Sequence, residues 1–218
     1  MERTWDLVLI GGASGVGKST AAARLAAAAG AFVVEFDDVV AAVQELTTAA
    51  QHPALHLFEG LPDPDALPPE RVLELQIATA QALEPAVLGV VRNRLTVPVP
   101  AVVEGDYLTP SAAARAVAEG EAAGRRVRAV FLHEPQAARI TANYADREPE
   151  LGPQPRRAEV SARYSDWLAA EARAHALPVV DCTPWPTLID RLTDALTPET
   201  AGRPAAVQKD GTCVRQSV

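Results

Sequence analysis

Residues 7–20 read LVLIGGASGVGKST, and the rest of the chain is best read outward from them. Leu7 to Ile10 is a short apolar run closed by Gly11 and Gly12, the pattern of a buried strand. Lys18 to Ala29 is alanine-rich, and Gly30 ends it as a glycine ends a helix. Between the two lies GASGVGKS, Gly12 to Ser19. A bound phosphate needs inward-pointing backbone N–H groups, a local cation and a hydroxyl for a metal ion. The octapeptide has all three. Gly12, Ala13, Ser14, Gly15, Val16 and Gly17 can form the tight loop, and Lys18 can reach the β- and γ-phosphates. The Ser19 hydroxyl can ligate Mg²⁺, and Thr20 follows on the helix.

Beyond the loop, strands and helices alternate. Ala31 to Phe36 reads as a second buried strand and Asp38 to Leu46 as a short helix. Gln51 to Pro69 is a long proline-bearing connection. From Glu70 to Leu95 the apolar positions Leu73, Ile77, Ala80, Leu83, Val87, Val91 and Leu95 predict one helix, kinked at Pro85. Ala101 to Glu104, Val127 to Leu132 and Leu177 to Val180 are three further strands. Helices are expected at Pro110 to Ala123, from Pro135 onward, at Ala158 to Ala176 and at Pro186 to Leu196. Residues 147–157 are polar and rich in proline. Residues 198–218 have almost no apolar periodicity and read as a disordered tail. This alternation implies an α/β fold with a parallel sheet and ligands at the carboxyl ends of its strands.

Composition narrows the function. A net charge of -8 argues against a broad phosphate-neutralising face, so no nucleic-acid partner is expected. Cys182 and Cys213 are too few for a zinc site or a disulfide framework, which suits a reduced cytoplasmic chain. No membrane segment and no basic leader are evident. Arginine outnumbers lysine eighteen to two, so a lysine inside the glycine loop is hard to assign to chance.

The other candidates lie where strands end. Asp37 and Asp38 follow the second strand. Asp37 is the candidate base for an attacking hydroxyl, while Asp38 suits a helix N-cap or an acceptor contact. Glu104 and Asp106, in VVEGD, can hold the water shell of a metal ion or bind an acceptor, or can simply form a solvated turn. Arg139, Arg147, Arg156 and Arg157 flank or occupy the polar segment. Arg147 is the first choice for stabilising charge on a transferring phosphoryl group, and Arg139 the second, as a nucleotide contact. His56, in the long connection, is a candidate acceptor contact. Pro53 argues against a metal pair with His52. His133 reads as a loop polar group, and Trp185 as core packing rather than a base platform.

The order of a P-loop, FDDVV, a helical insertion, VVEGDYLTP and an arginine-bearing segment resembles the small-molecule kinases among P-loop proteins. Within them, the closest pattern is that of 2-phosphoglycerate-kinase-like and chloramphenicol-phosphotransferase-like proteins. The resemblance implies a three-layer α/β/α P-loop NTPase fold with a five-stranded parallel sheet in the order 2-3-1-4-5. It implies one domain over residues 1–197, an acceptor-binding insertion at about 48–96, and a lid at about 143–157. It implies transfer of the ATP γ-phosphate to a small hydroxyl acceptor, with Asp37 as base, Lys18 and Ser19 on ATP and Mg²⁺, and lid arginines closing over the transition state. Glu104, from its strand end, is the other candidate Mg²⁺ ligand, and a monomer or homodimer is expected. The acceptor itself stays open. A nucleotide-gated regulatory ATPase acting through a partner is the alternative.

Overall fold

The computed structural model describes residues 4–59 and 66–197. The expected tail at 198–218 and the middle of the 51–69 connection lie outside the described residues. Five strands form one sheet: β1 (Leu7–Gly11), β2 (Phe32–Glu35), β3 (Ala101–Gly105), β4 (Val127–His133) and β5 (Val179–Asp181). Their order is β2-β3-β1-β4-β5, and every pair is parallel. β1 and β3 are buried at each residue, as central parallel strands covered on both faces must be. The register sets Gly11 beside Gly105 on one side and Phe131 on the other, so the loop leaves β1 level with the ends of its neighbours.

β2 differs from its expected burial. It is the sheet edge, pairing with β3 alone, and Phe32 and Val33 are 60% and 39% exposed. An apolar run reads the same in the sequence whether or not a second strand covers its outer side.

Eight helices occur among the described residues: α1 (Lys18–Ala29), α2 (Phe36–Leu46), α3 (Pro69–Ala82), α4 (Glu84–Leu95), α5 (Pro110–Ala122), α6 (Ala137–Arg147), α7 (Pro155–Ala174) and α8 (Leu188–Leu196). α1 packs with α8, while α4, α5 and α7 form a row that α3 and α6 join through α7. With the sheet between these groups, the fold has three layers.

The single kinked helix expected over 70–95 is two helices meeting at Leu83, whose side chain is buried. Pro85 sits in the first turn of α4, where its missing N–H leaves no bond unmade. α7 likewise opens on Pro155, so Arg156 and Arg157 stand on a helix rather than in a loop. Between α6 and α7 only residues 148–154 remain, and Pro149–Leu151 form a 3-10 turn. Cys182 is a free, buried thiol whose pKa is pushed up to about 12 by its burial. His133 ends β4 and bridges Asp181, at 2.8 Å, to Asp166 of α7, at 2.9 Å.

Candidate active site

Gly17 caps α1 with φ 93°, a left-handed conformation that side chains other than glycine's rarely take. A Cβ there would lie 2.5 Å from the Trp185 ring. Gly17→Ala is therefore expected to cost at least about 1–2 kcal/mol in backbone strain. A lower Tm together with weaker nucleotide binding checks this. Ala13 and Val16 anchor the loop with buried side chains, so only their backbone groups are left to serve a ligand. No acidic residue occupies the first turn of α1, whose positive end and free N–H groups therefore keep their full attraction for an anion.

Lys18 is 6% exposed and donates to the Ala13 carbonyl at 2.9 Å and to the Asp106 carboxylate. Burial alone would lower its pKa, but Asp106, Glu104 and Asp37 outweigh that and raise it. Ser19 stands beside Glu104, which is buried at the end of β3, and its hydroxyl favours the ionised carboxylate. Glu104 is raised above the ordinary carboxylate range by burial and by Asp106, against the pull of Lys18. Asp37 is exposed as a residue, yet the protein packed about its carboxyl, and next the negative charge of Asp106, push it up to about 6. One cation thus holds three acids together.

Gly105 makes this convergence possible. A Cβ at that position would lie 2.9 Å from the Phe36 Cβ and 3.4 Å from Asp37 Oδ1, so only glycine lets α2 come this close to β3. The backbone N–H of Asp106 lies close enough to Asp37 to favour its ionised form, and the Tyr164 hydroxyl donates to the Asp106 carbonyl at 3.0 Å. VVEGD is a built junction rather than a solvated turn.

Two cavities border the loop. The first, about 440 Å³, is lined by Gly15, Gly17, Lys18, Ser19 and Thr20 together with Asn143, Asp146, Arg147 and Trp185. The second, about 560 Å³, is lined on its polar side by Ser14, Asp106, Tyr107, Gln76, Gln154, Arg156, Arg157 and Ser161, and on its apolar side by residues such as Phe58 and Val72. Both are of a size that holds small ligands. The glycine loop borders both, with Ser14 on the second and Gly15 and Gly17 on the first. Trp185 does not sit in the core as expected; it is 37% exposed and lies against Gly17.

Arg147 reaches the first cavity as the last residue of α6. Asn143, four residues earlier, donates to the Gly15 carbonyl at 2.8 Å. Asn143 is not among the residues expected from the sequence, although the sequence carries a signal for it. Ile140 and Tyr144 are the buried face of α6, and a residue on the adjoining helical stripe must look along the loop.

Asp37 and Glu104 line neither cavity but act on Lys18, which does, whereas three further candidates have no such link to the site. Asp38 is exposed in the first turn of α2; it is not the N-cap, because the helix begins at Phe36 and Glu35 takes that position without a side-chain bond. Arg139 donates to Thr183 and, at 3.5 Å, to Glu134, beyond the lining of either cavity. His56 has both ring nitrogens engaged, Nε2 with Thr47 at 3.0 Å and Nδ1 with Glu59. Its connection folds back on α2 and α3, where Gln44 bonds the Leu55 carbonyl at 2.8 Å and Thr79 that of Ala54 at 3.0 Å. Phe58 lines the second cavity in its place.

A family model described as an AAA domain matches residues 7–174. No curated protein sequence matches the chain. Among solved structures, a gluconokinase from Sinorhizobium meliloti 1021 is similar, with a TM-score of 0.56 and 18% identity over 89% of this chain and 93% of that one. A shikimate kinase from Acinetobacter baumannii gives a TM-score of 0.47 at 15% identity, covering 88% of this chain and 92% of its own. A deoxyadenosine kinase from M. mycoides gives 0.47 at 13%, covering 87% and 98%. At such identities the gluconokinase likeness is one of fold. No helix among the described residues is long and apolar enough to cross a membrane.

Proposed function

The chain belongs to the AAA domain family, and from that premise we propose that it is an ATP-dependent phosphotransferase acting on a hydroxyl group of a small molecule. One observation carries the reading: Lys18 lines the first of two ligand-sized cavities, Asp106 lines the second, and the two are bonded to each other, with Asp37 close enough to act on Lys18 by its charge. A second ligand-sized cavity beside the loop is what a phosphoryl acceptor requires.

The residues fit the ligands. The loop backbone, Lys18 and Thr20 hold the triphosphate, and Arg147 faces it from α6. Ser19 and Glu104 offer two oxygen donors, as many as Mg²⁺ takes from a protein when phosphates and water complete its shell. When bound, Mg-ATP supplies the phosphoryl group and neutralises part of its charge. Asp37, poised near 6, takes the proton from the acceptor hydroxyl, and Lys18 keeps the three carboxylates from forcing one another neutral. Asp106 and Tyr107 contact the acceptor from the β3 end, and Arg156 and Arg157 from α7. The insertion carrying α3 contributes Val72 and Gln76, so acceptor choice resides there as well as in the segment before α7.

Incubation with Mg-ATP and pooled metabolites, read by mass spectrometry, is expected to yield a compound that gains one phosphoryl group. Identical profiles from wild type and Lys18→Ala would refute the reading.

A further inference from the structure

Glu148 lines neither cavity, yet it is bonded to an arginine of each. Its Oε1 accepts from Arg147, from Nε at 2.8 Å and also from Nη2. Its Oε2 accepts from Arg157 Nη1 at 2.7 Å and from Gln154 Nε2 at 3.1 Å. One oxygen serves the first cavity and the other serves the second. The Glu148 N–H is itself pinned to the Tyr144 carbonyl at 2.8 Å, which fixes where the carboxylate starts.

Tyr144 completes the frame. Both guanidinium groups lie over its ring, that of Arg147 at 5.2 Å and that of Arg157 at 4.2 Å from the centroid. The ring is fully buried and packs on Gly15 of the loop, and its hydroxyl shares a 2.8 Å hydrogen bond with Ser161 of the second cavity. Arginine side chains as open as these ordinarily sample many rotamers and must be ordered when an anion arrives. Here the stacking and the shared carboxylate order both in advance. Arg147 is gripped by its Nε and Nη2 edge, which leaves Nη1 for a further anion. The Glu148 carboxyl is held down at about 2 by Gln154, Arg147 and Arg157, so it stays charged at any working pH.

We propose that Glu148 is a positioning residue that couples the two cavities, holding Arg147 toward a nucleoside triphosphate through its bond to Arg157 at the acceptor side. This rests on the reading of the cavities given above. The state of one arginine is then felt by the other, and the acceptor cavity influences how tightly the nucleotide is held.

Calorimetric titration of the full chain with Mg-ATP tests this without knowledge of the acceptor. Glu148→Gln is expected to weaken ATP binding about tenfold, and Arg157→Ala about fivefold although Arg157 lines the other cavity. Arg157→Lys keeps the charge without the planar fork and is expected to fall with Arg157→Ala. The double variant Glu148→Gln/Arg157→Ala is expected to stay within about twofold of Glu148→Gln alone, since both act along one path. ATP affinity within about twofold of wild type in Arg157→Ala, or a double loss equal to the product of the single losses, overturns the proposal. If Lys18→Ala abolishes binding while Arg157→Ala does not touch it, this inference fails and the kinase reading stands. A wild type that binds no ATP overturns both.

Discussion

Lys18→Ala is expected to fold and to lose phosphoryl transfer, with kcat/KM down by on the order of 10²–10³-fold or more. The size follows from what the ammonium does in this site. It is buried, bonded to the loop at the Ala13 carbonyl, and stands amid Asp106, Glu104 and Asp37. Without it, the loop keeps its N–H groups but has no cation for the charge on the transferring group, and the three carboxylates repel one another unopposed. Lys18 pulls the Asp37 pKa down, so its removal is expected to move Asp37 further above about 6. The same variant should therefore show a more basic carboxyl titration by NMR as well as the lost transfer. A Lys18→Ala protein with wild-type turnover and an unmoved Asp37 would contradict this.

Asp37→Asn is expected to bind ATP within about threefold of wild type and to lose transfer by roughly 10²–10⁴-fold, the range for removing a general base. In wild type the ionised form is the active one, so turnover should rise as pH rises through about 6 and level off above it. The variant should lack that limb. Stability runs the other way. The folded-state pKa of Asp37 is raised, so the native chain binds more protons than the unfolded chain between the ordinary carboxylate value and about 6. Stability from this group is present below that window and is lost as pH rises through it. Asp37→Asn, always neutral, is expected to melt higher than wild type at pH 7. A variant both less stable and still active would place the base elsewhere.

The parts of this site that depend on neighbouring residues are legible in the amino-acid sequence. Leu7 to Ser19 read as strand and loop because glycine spacing, a lysine and a preceding apolar run are local features, and the sheet order implied by the resemblance is the order found. What depends on distant packing is not legible there. β2 reads as buried because an apolar run carries no mark of being at an edge. Asp38 reads as a cap because nothing local in the sequence marks that α2 starts two residues earlier, at Phe36. His56 reads as an acceptor contact because its pairing with Thr47 and Glu59 needs the connection to double back. Arg147 stands out by its place at a helix end, whereas its partner Glu148 shows its role only once α7 brings Arg157 to the same carboxylate.

The central claim is that the phosphoryl group goes to an acceptor in the second cavity rather than to water. Following [γ-³²P]ATP in the presence of a metabolite pool tests it most directly. Label is expected in a small organic compound faster than in inorganic phosphate, and both Asp37→Asn and Lys18→Ala are expected to abolish this transfer. Label that passes to inorganic phosphate alone, at a rate indifferent to the pool, would contradict it and identify a nucleotide-gated ATPase.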